Sequence, residues 1–167
     1  SGHVRVFQFS SGTWTQLGGN FFGTGTSRLA LDRCPISYDG SIVAMGEYGN
    51  DEDGTDRGKI HVYSYNTSTS SWDQLGEDIF GREDSSVLGL QNVDLTDDGT
   101  ILAVTERDGV TAHAHDQYNN VTAVGYVYKY TNGTWKLLGQ PIEYYNPATT
   151  SYACGDARIS NDGTIFS

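Results

Sequence analysis

The segment Ser71-Trp72-Asp73-Gln74-Leu75-Gly76 has two counterparts in this chain, Thr13-Trp14-Thr15-Gln16-Leu17-Gly18 and Thr134-Trp135-Lys136-Leu137-Leu138-Gly139. The three tryptophans are separated by 58 and 63 positions. Each motif follows a segment of alternating character rich in aromatic and β-branched residues, at 4–9, 60–65 and 125–130. A period of two is typical of a half-buried β-strand, so the sequence predicts a repeated pair of strands.

A second motif repeats in step with the first. Asp-Gly turns occur at Asp39, Asp98 and Asp162, separated by 59 and 64 positions, and each leads into an apolar segment. An Asp-Gly pair between two such segments is a strong signal for a tight hairpin. Because two independent motifs keep the same spacing, we interpret the chain as a tandem repeat.

Each repeat unit predicts four short antiparallel strands. Strand one ends at the Asp-Gly turn, strand two leaves it, strand three is the alternating segment, and strand four carries the tryptophan. Such a sheet repeated in tandem is typical of a β-propeller blade. We therefore expect an all-β fold of about three blade equivalents, an incomplete ring from a larger chain, because propellers close with 4–8 blades. The expected divisions are a half blade at 1–18, blades at 19–76 and 77–139, and a half blade at 140–167.

Twelve strands follow from this pattern. They are expected at 3–9, 13–17, 29–37, 41–47, 59–65, 71–75, 88–96, 100–106, 124–130, 134–138, 155–160 and 164–167. A single sheet cannot bury both faces, so successive sheets should stack face to face. We expect this stacking to bury Trp14, Trp72 and Trp135 at equivalent positions.

Three segments carry a resemblance to a known family: Ser1-Gly2-His3-Val4-Arg5-Val6-Phe7, Trp72-Asp73-Gln74-Leu75-Gly76-Glu77-Asp78-Ile79 and Leu95-Thr96-Asp97-Asp98-Gly99-Thr100-Ile101-Leu102-Ala103-Val104. Together they resemble the tandem propeller repeats of large secreted or surface proteins of algae and marine bacteria. Those repeats are loosely similar to the FG-GAP blades of integrin-type propellers. The resemblance covers essentially the whole chain and implies a non-enzymatic, extracellular, adhesive or structural role. The third unit departs from the pattern at Gly125, where the others have an apolar residue.

The charge and hydropathy of the chain argue against nucleic acid as a partner and against a membrane-spanning helix. A formal net charge of −11 with only 10 Lys and Arg residues disfavours nucleic acid, whose phosphates need a positive surface. No apolar run approaches the roughly 20 residues of a membrane-spanning helix. We therefore expect neither nucleic-acid binding nor membrane insertion.

Three Asn-x-Ser/Thr sequences are candidate N-glycosylation sites, at Asn66, Asn120 and Asn132. Asn66 and Asn132 fall in the turn between strands three and four of successive units. Asn120 lies in the long loop between strands two and three of the third unit. Glycosylation at any of them would indicate an extracellular or cell-surface location, although Asn, Ser and Thr are also common turn residues.

Two loops contain residue types that bind metals. Asp51, Asp53 and Asp56 lie in an acidic loop between strands two and three, where alternating carboxylates followed by glycine can surround Ca²⁺. The full Asp-x-Asp-x-Asp-Gly pattern is absent, so a solvated acidic loop is the alternative. In the third unit, His113, His115 and Asp116 could bind a transition metal, but a further ligand is not evident.

The two cysteines occupy apolar positions of the repeat. Cys34 aligns with Val93 and Ala157, and Cys154 aligns with Leu31 and Leu90. The two cysteines lie two blades apart, whereas a disulfide needs Cα atoms within about 7 Å. Buried free thiols are therefore expected, with pairing to cysteines outside this stretch as the alternative.

The sequence contains no nucleophile elbow, phosphate-binding loop or paired catalytic carboxylates. We therefore expect a non-enzymatic extracellular module, a propeller scaffold whose partners are other proteins in a larger assembly and the remaining blades of its own chain. The alternative is a carbohydrate-binding propeller. Its candidate sugar-stacking residues are Tyr144, Tyr145 and Tyr152 in the variable loop after the third tryptophan, although these rings could equally pack within the loop.

Overall fold

The computed structural model describes residues 2–25, 27–30, 33–90, 93–107, 121–145 and 157–167. These ranges contain fourteen strands and no helix, in agreement with the predicted all-β class. In chain order the strands are β1 (His3–Val4), β2 (Phe7–Ser10), β3 (Thr13–Gln16), β4 (Phe21–Phe22), β5 (Arg28–Leu29), β6 (Ile42–Tyr48), β7 (Lys59–Asn66), β8 (Ser71–Gln74), β9 (Ile79–Phe80), β10 (Val93–Leu95), β11 (Ile101–Arg107), β12 (Val121–Thr131), β13 (Thr134–Leu137) and β14 (Ile142–Tyr145).

Two five-stranded antiparallel sheets contain most of these strands. The second-unit sheet has the order β5-β6-β7-β8, and β9 also pairs with β7. The third-unit sheet has the order β10-β11-β12-β13, and β14 also pairs with β12. The pairs β1-β4 and β2-β3 form the first-unit sheets. The predicted succession of four strands is confirmed in both five-stranded sheets, while the described sheets form no closed barrel and their arrangement as propeller blades stays a prediction.

The tryptophan hairpin has the same register in all three units. Trp14 is paired with Phe9, Trp72 with Tyr65 and Trp135 with Tyr130. The paired rings lie 5.2, 5.1 and 5.2 Å apart between centroids, in tilted arrangements. Aromatic pairs across two strands favour such contacts. The alignment of the three motifs in the sequence is therefore an alignment in structure.

Both faces of the second-unit sheet are covered. Alternation along β7 places Ile60 and Val62 on one face and Lys59, His61 and Tyr63 on the other. The first face joins the third-unit sheet in a cluster of Ala44, Ile60, Val62, Ile79, Leu88, Val93, Leu95, Leu102, Val104, Val124 and Tyr126. On the opposite face a smaller cluster of Leu29, Val43 and Met45 meets Val4 and Phe21 of the first unit. Hydrophobic contacts thus link the three units in chain order.

The Asp-Gly turns are stabilised by the aspartate itself. Asp98 accepts hydrogen bonds from the hydroxyl of Thr96 at 2.7 Å and from the backbone N–H of Thr100 at 2.9 Å. These bonds hold the pKa of the Asp98 carboxyl below its usual value. Asp39 and Asp162 make the same contacts with their flanking serine and threonine residues. The predicted hairpin at each Asp-Gly pair is therefore confirmed.

The strand predicted at 29–37 is wrong over most of its described residues, where only Leu29 of β5 and an isolated bridge at Ile36 are paired. The strand predicted at 88–96 is confirmed in part, by β10 and an isolated bridge at Leu88, while Gly89 and Leu90 between them belong to no strand. The equivalent residues Ala30 and Gly89 have positive φ values of 47° and 81°, which interrupt an extended backbone. The fourth-unit pair predicted at 155–160 and 164–167 is reduced, in its described part, to a bridge between Ile159 and Phe166.

Three short strands were not predicted. β4, β9 and β14 each follow a tryptophan motif and pair back onto strand three of the same sheet. Two to four residues are too few to show a period of two in sequence. Each of these strands extends the sheet that precedes it in the chain.

No helix in the described residues is long and apolar enough to span a membrane.

Candidate functional site

The contact that joins successive units is made by the repeated tryptophan. The indole Nε1–H of Trp72 donates to the carbonyl oxygen of Leu17 at 2.8 Å, and that of Trp135 donates to the carbonyl oxygen of Leu75 at 2.7 Å. In both cases the acceptor belongs to the Leu-Gly pair that ends the preceding motif. We call each such pair an indole slot. The three slots are Leu17-Gly18, Leu75-Gly76 and Leu138-Gly139.

The glycine of a filled slot lies against the edge of the indole ring. A Cβ atom at Gly18 would lie 2.6 Å from Trp72 Cδ1, and one at Gly76 would lie 2.8 Å from Trp135 Cδ1. The φ values of these glycines are 70° and 80°, which side chains other than glycine rarely adopt. The Leu-Gly ending of the motif therefore serves a contact with the next unit.

The predicted burial of the three tryptophans is wrong for Trp14. Its side chain is 66% exposed, whereas Trp72 and Trp135 are half-buried. The register of its hairpin is the same, so the difference comes from its surroundings. Within the described residues the indole N–H of Trp14 has no acceptor, whereas those of Trp72 and Trp135 do.

Substitution of the slot glycines should separate a filled slot from an open one. Gly76→Ala is expected to lower the free energy of unfolding by about 2–4 kcal/mol, because overpacking adds to backbone strain. Gly139→Ala carries the same strain at a φ of 80°, but its new Cβ meets no atom within 4 Å. Gly139→Ala is therefore the control, and we expect it to lower the free energy of unfolding, measured in urea, by only about 1 kcal/mol. Equal losses would show that Trp135 does not depend on its slot.

A buried carboxylate occurs at the same place in the second and third units. Glu47 and Glu106 each lie eight positions after the aspartate of their Asp-Gly turn, and each is 1% exposed. Each accepts a hydrogen bond from a backbone N–H group in the loop that follows a slot. The N–H of Thr24 donates to Glu47 at 2.5 Å, and the N–H of Arg82 donates to Glu106 at 3.0 Å. Sequence reasoning missed both residues, although their constant offset from Asp-Gly was a usable signal.

Glu47 is surrounded by donors. Its Oε1 accepts from the hydroxyl of Thr24 at 2.6 Å and from the hydroxyl of Ser27. Its Oε2 lies 2.8 Å from His61 Nε2 and 3.9 Å from Lys59 Nζ. Burial raises the pKa of Glu47, but the hydrogen bonds from Ser27, Thr24 and His61 outweigh it and lower the pKa to about 2. Glu47 is therefore a buried anion at neutral pH.

Two partners of Glu47, Lys59 and His61, also contact Asp78. His61 Nδ1 lies 2.9 Å from Asp78 Oδ1, so both ring nitrogens face carboxylate oxygens, and a protonated ring can donate to both. Lys59 Nζ lies 3.2 Å from Asp78 Oδ2 and also contacts Glu52. Burial lowers the pKa of Lys59, but the bonds to Glu52 and Asp78 raise it overall. We call these five residues, Glu47, Glu52, Lys59, His61 and Asp78, the polar cluster.

Glu106 lies in a less polar setting than Glu47. Tyr126, at the position equivalent to His61, donates its hydroxyl to Glu106 Oε1 at 2.7 Å. The nearest guanidinium nitrogen, Arg82 Nε, is 3.8 Å away. Burial raises the pKa of Glu106, and the hydrogen bonds from Tyr126 and Arg82 offset only part of that effect. The two equivalent carboxylates thus have pKa values displaced in opposite directions.

The acidic loop predicted as a calcium site connects β6 to β7. Asp53 pairs with Arg57 at 2.8 Å, and Asp51 accepts the backbone N–H of Asp56 at 2.7 Å. The described residues contain no group of three or more His, Cys, Asp or Glu side chains that could hold a metal ion. The loop geometry favours the solvated alternative, and calcium binding by Asp51, Asp53 and Asp56 stays a prediction.

A cavity of about 460 Å³ opens between this loop and the segment that follows β4. Its lining includes Thr24, Ser27, Asn50 and Glu52. Asn50 donates its side-chain N–H to the Thr24 hydroxyl oxygen at 2.9 Å, so part of the polar lining is held by internal bonds. The hydroxyl, amide and carboxylate groups of this lining can form hydrogen bonds with a ligand.

The asparagines of two candidate glycosylation sites lie in or beside equivalent hairpins. Asn66 ends β7 and donates to Asp73 at 2.8 Å, and Asn132 is exposed in the turn between β12 and β13 with a φ of 53°. Asn120 lies outside the described residues, as do His113, His115, Asp116, Tyr152 and Cys154. Tyr144 and Tyr145 belong to β14, which pairs with β12.

Cys34 is a half-buried free thiol next to the small hydrophobic cluster of the second unit. Burial raises the pKa of the thiol to about 11. A thiol in that state is neutral at physiological pH and is a poor nucleophile. The structure therefore agrees with a packing role for Cys34.

Comparison with known proteins identifies no relative of this chain. No protein-family model matches it, and neither the curated proteins nor the solved structures contain a significant match.

Proposed function

We propose that this chain is a non-enzymatic structural and interaction module, built from β-propeller-type units that stack through tryptophan and slot contacts. The observation that carries the proposal is the same inter-unit contact made twice, by Trp72 on Leu17-Gly18 and by Trp135 on Leu75-Gly76. A contact repeated with the same chemistry is what repeat proteins use to extend a stack.

The Asp-Gly turns support the same proposal. The backbone N–H of Tyr38 donates to the carbonyl oxygen of Asp97 at 2.8 Å, and the N–H of Asp97 donates to Asn161 Oδ1 at 2.8 Å. These three residues hold the same position in the turns of the second, third and fourth units. Consecutive turns are thus hydrogen-bonded to one another, as expected where units stack in order.

The buried titratable side chains of the described residues contribute to folding. Glu47 and Glu106 accept hydrogen bonds from the loops of the preceding sheets, and Lys59 and His61 both lie within hydrogen-bond distance of Asp78. A buried charge that is paired and hydrogen-bonded holds neighbouring elements in one arrangement. This use of the polar residues supports a structural role rather than a catalytic one.

Duplication of one unit tests the proposed stack. A copy of residues 77–139 inserted after Gly139 recreates the natural Leu-Gly-Glu junction and adds one tryptophan and one slot. We expect the longer protein to fold with more β-structure by circular dichroism and with a higher free energy of unfolding, because each added interface contributes.

The matched control is the same insertion carrying Trp135→Ala in the added copy, which removes the new contact alone. It should keep the length but lose the gain in stability. A duplicated chain that is unfolded, or no more stable than its control, would contradict the proposal.

An extracellular or cell-surface location is part of the proposal and rests on the glycosylation motifs. We expect protein from its native source to carry an N-linked glycan on at least one of Asn66, Asn120 and Asn132. Intact mass before and after enzymatic deglycosylation measures this directly. If all three asparagines were unmodified, the proposed location would lose its main support, while the fold would be unaffected.

Carbohydrate binding is the second candidate function. The cavity beside Thr24 and Asn50 supports it, since the hydroxyl and amide groups of its lining can bond sugar hydroxyls. A glycan array probed with the whole chain tests the idea, with Asn50→Ala as the site variant and Asn66→Ala as the matched control. A signal lost only in Asn50→Ala would support this function over the scaffold.

A further inference from the structure

The turn between β12 and β13 contains an asparagine whose side chain is not hydrogen-bonded. Asn132 and the following Gly133 are both exposed, and their φ values of 53° and 87° are the two positive angles of a type I′ turn. Within the described part of the chain no group bonds to the Asn132 amide. The other described asparagines all have side-chain partners: Asn20, Asn50, Asn66 and Asn161.

The backbone N–H of Gly133 is not hydrogen-bonded either. No acceptor for it exists among the described residues, and a Cβ at Gly133 would meet no atom within 4 Å. In the three Asp-Gly turns the glycine N–H instead donates to the carbonyl oxygen three positions earlier, at 2.9, 2.8 and 2.8 Å in Gly40, Gly99 and Gly163. The Asn-Gly turn is therefore the one of these four in which both the amide and the neighbouring nitrogen are left to react.

We propose that Asn132 is a site of self-modification, at which the backbone nitrogen of Gly133 displaces the side-chain amide. The Gly133 nitrogen forms a bond to Asn132 Cγ, the bond from Cγ to Nδ2 breaks, and Nδ2 leaves as ammonia with the proton that the Gly133 nitrogen gives up. The product is a five-membered succinimide ring. Water then adds to one of its two carbonyl groups, and the ring opens to aspartate or to isoaspartate.

Glycine is the neighbour that this attack requires. It has no side chain to crowd the nitrogen, and it adopts the backbone angles of the ring at little cost. Asn66, in the corresponding hairpin of the second unit, differs in both respects. Its amide donates to Asp73 at 2.8 Å and accepts the N–H of Ser68 at 3.0 Å, and the β-branched Thr67 follows it. We therefore expect Asn66 to stay intact where Asn132 reacts.

The isoaspartate product changes the hairpin that carries the third tryptophan. Its backbone runs through the former side chain and so contains one more carbon atom between positions 132 and 133. The two-residue turn is closed by the pair of Thr131 and Thr134, and the next residue, Trp135, donates to Leu75 at 2.7 Å. A longer turn does not fit this closing pair. The modification therefore acts on the contact that joins the third unit to the second.

Glycosylation and deamidation exclude each other at Asn132. An N-linked glycan is attached to Nδ2, which then cannot leave as ammonia. Conversely, the carboxyl group of a deamidated residue has no nitrogen to accept a glycan. This competition rests on the proposed extracellular location, whereas the deamidation itself does not.

Incubation of the whole chain, produced without glycosylation, tests the proposal. We expect the intact mass to rise by one mass unit over days at pH 8, and peptide mapping to place aspartate and isoaspartate at position 132. Gly133→Ala should keep Asn132 intact over the same period, because its Cβ crowds the attacking nitrogen. Asn66→Ala is the matched control, and its mass should rise as that of the wild type does.

The isoaspartate form, separated by chromatography, should unfold at a lower urea concentration than Asn132→Asp. That variant has the same charge with an ordinary backbone, so equal midpoints would overturn the effect on the hairpin.

The same incubation in urea shows what the fold contributes. We expect isoaspartate to form also at Asp39, Asp98 and Asp162 once their glycine N–H groups are released. An Asn132 that reacts in urea but stays intact in the folded chain would overturn the proposal. So would isoaspartate at the three Asp-Gly turns of the folded chain as fast as at Asn132. Failure of the unit duplication would reject the proposed stack and leave this chemistry untouched.

Discussion

Trp72→Ala is expected to lower the free energy of unfolding by about 3–5 kcal/mol, the usual cost of truncating a packed tryptophan. The indole of Trp72 packs against Tyr65 and Phe21, with ring centroids 5.1 and 5.8 Å away, and donates to Leu17. Truncation removes these ring contacts and leaves the Leu17 carbonyl without its donor. Urea unfolding followed by far-ultraviolet circular dichroism measures the loss, independently of tryptophan fluorescence.

Trp14→Ala is the matched control for this substitution. It removes the same residue type from the same strand position, with a cross-strand aromatic partner at a similar distance, but its side chain is 66% exposed. We expect it to cost about 1 kcal/mol or less in dilute protein. If both substitutions cost the same, the inter-unit contact would add nothing to the hairpin contact.

Glu47→Gln is expected to lower the free energy of unfolding by about 3 kcal/mol at pH 7, from a folded-state pKa of about 2 against an ordinary value of 4.5. A carboxyl whose pKa is lowered on folding contributes stability above its ordinary pKa and loses it as the pH falls toward the folded value. The difference between wild type and variant should therefore shrink between pH 5 and pH 2. Urea unfolding at several pH values gives this profile.

Glu106→Gln is the control at the equivalent position. Burial raises the pKa of Glu106, so its neutral form is favoured in the folded state and stability from that form is lost as the pH rises. Replacement by a neutral glutamine should therefore cost much less at pH 7 than Glu47→Gln. Equal losses with the same pH dependence would contradict the difference between the two environments.

Much of the fold could be predicted because its signals are local. The order of strands, the Asp-Gly hairpins and the register of the tryptophan hairpins each depend on residues close together in sequence. Asp98, for example, accepts its bonds from residues two positions away on either side. Such turns form the same way in every unit, so a repeated motif predicts a repeated structure.

The candidate site could be predicted only in part. The tryptophans and the glycines that follow them were visible as motifs, but their contact with the preceding unit was not. Glu47 was missed because a glutamate in a strand usually indicates a solvated position. Its donors Thr24 and His61 lie 23 and 14 positions away and approach it only when the sheet has formed.

The sequence by itself determined the all-β class, the tandem units and the position of each tryptophan within its hairpin. Only the tertiary structure decided which tryptophan is covered and in which direction the pKa of each buried glutamate is displaced. Trp14 and Trp72 share a local motif but differ in exposure, and Glu47 and Glu106 share an offset but differ in pKa direction. The physical reason is the same in both comparisons. Burial and electrostatic surroundings are set by groups distant in sequence, whereas turn and strand geometry are set by neighbours along the chain.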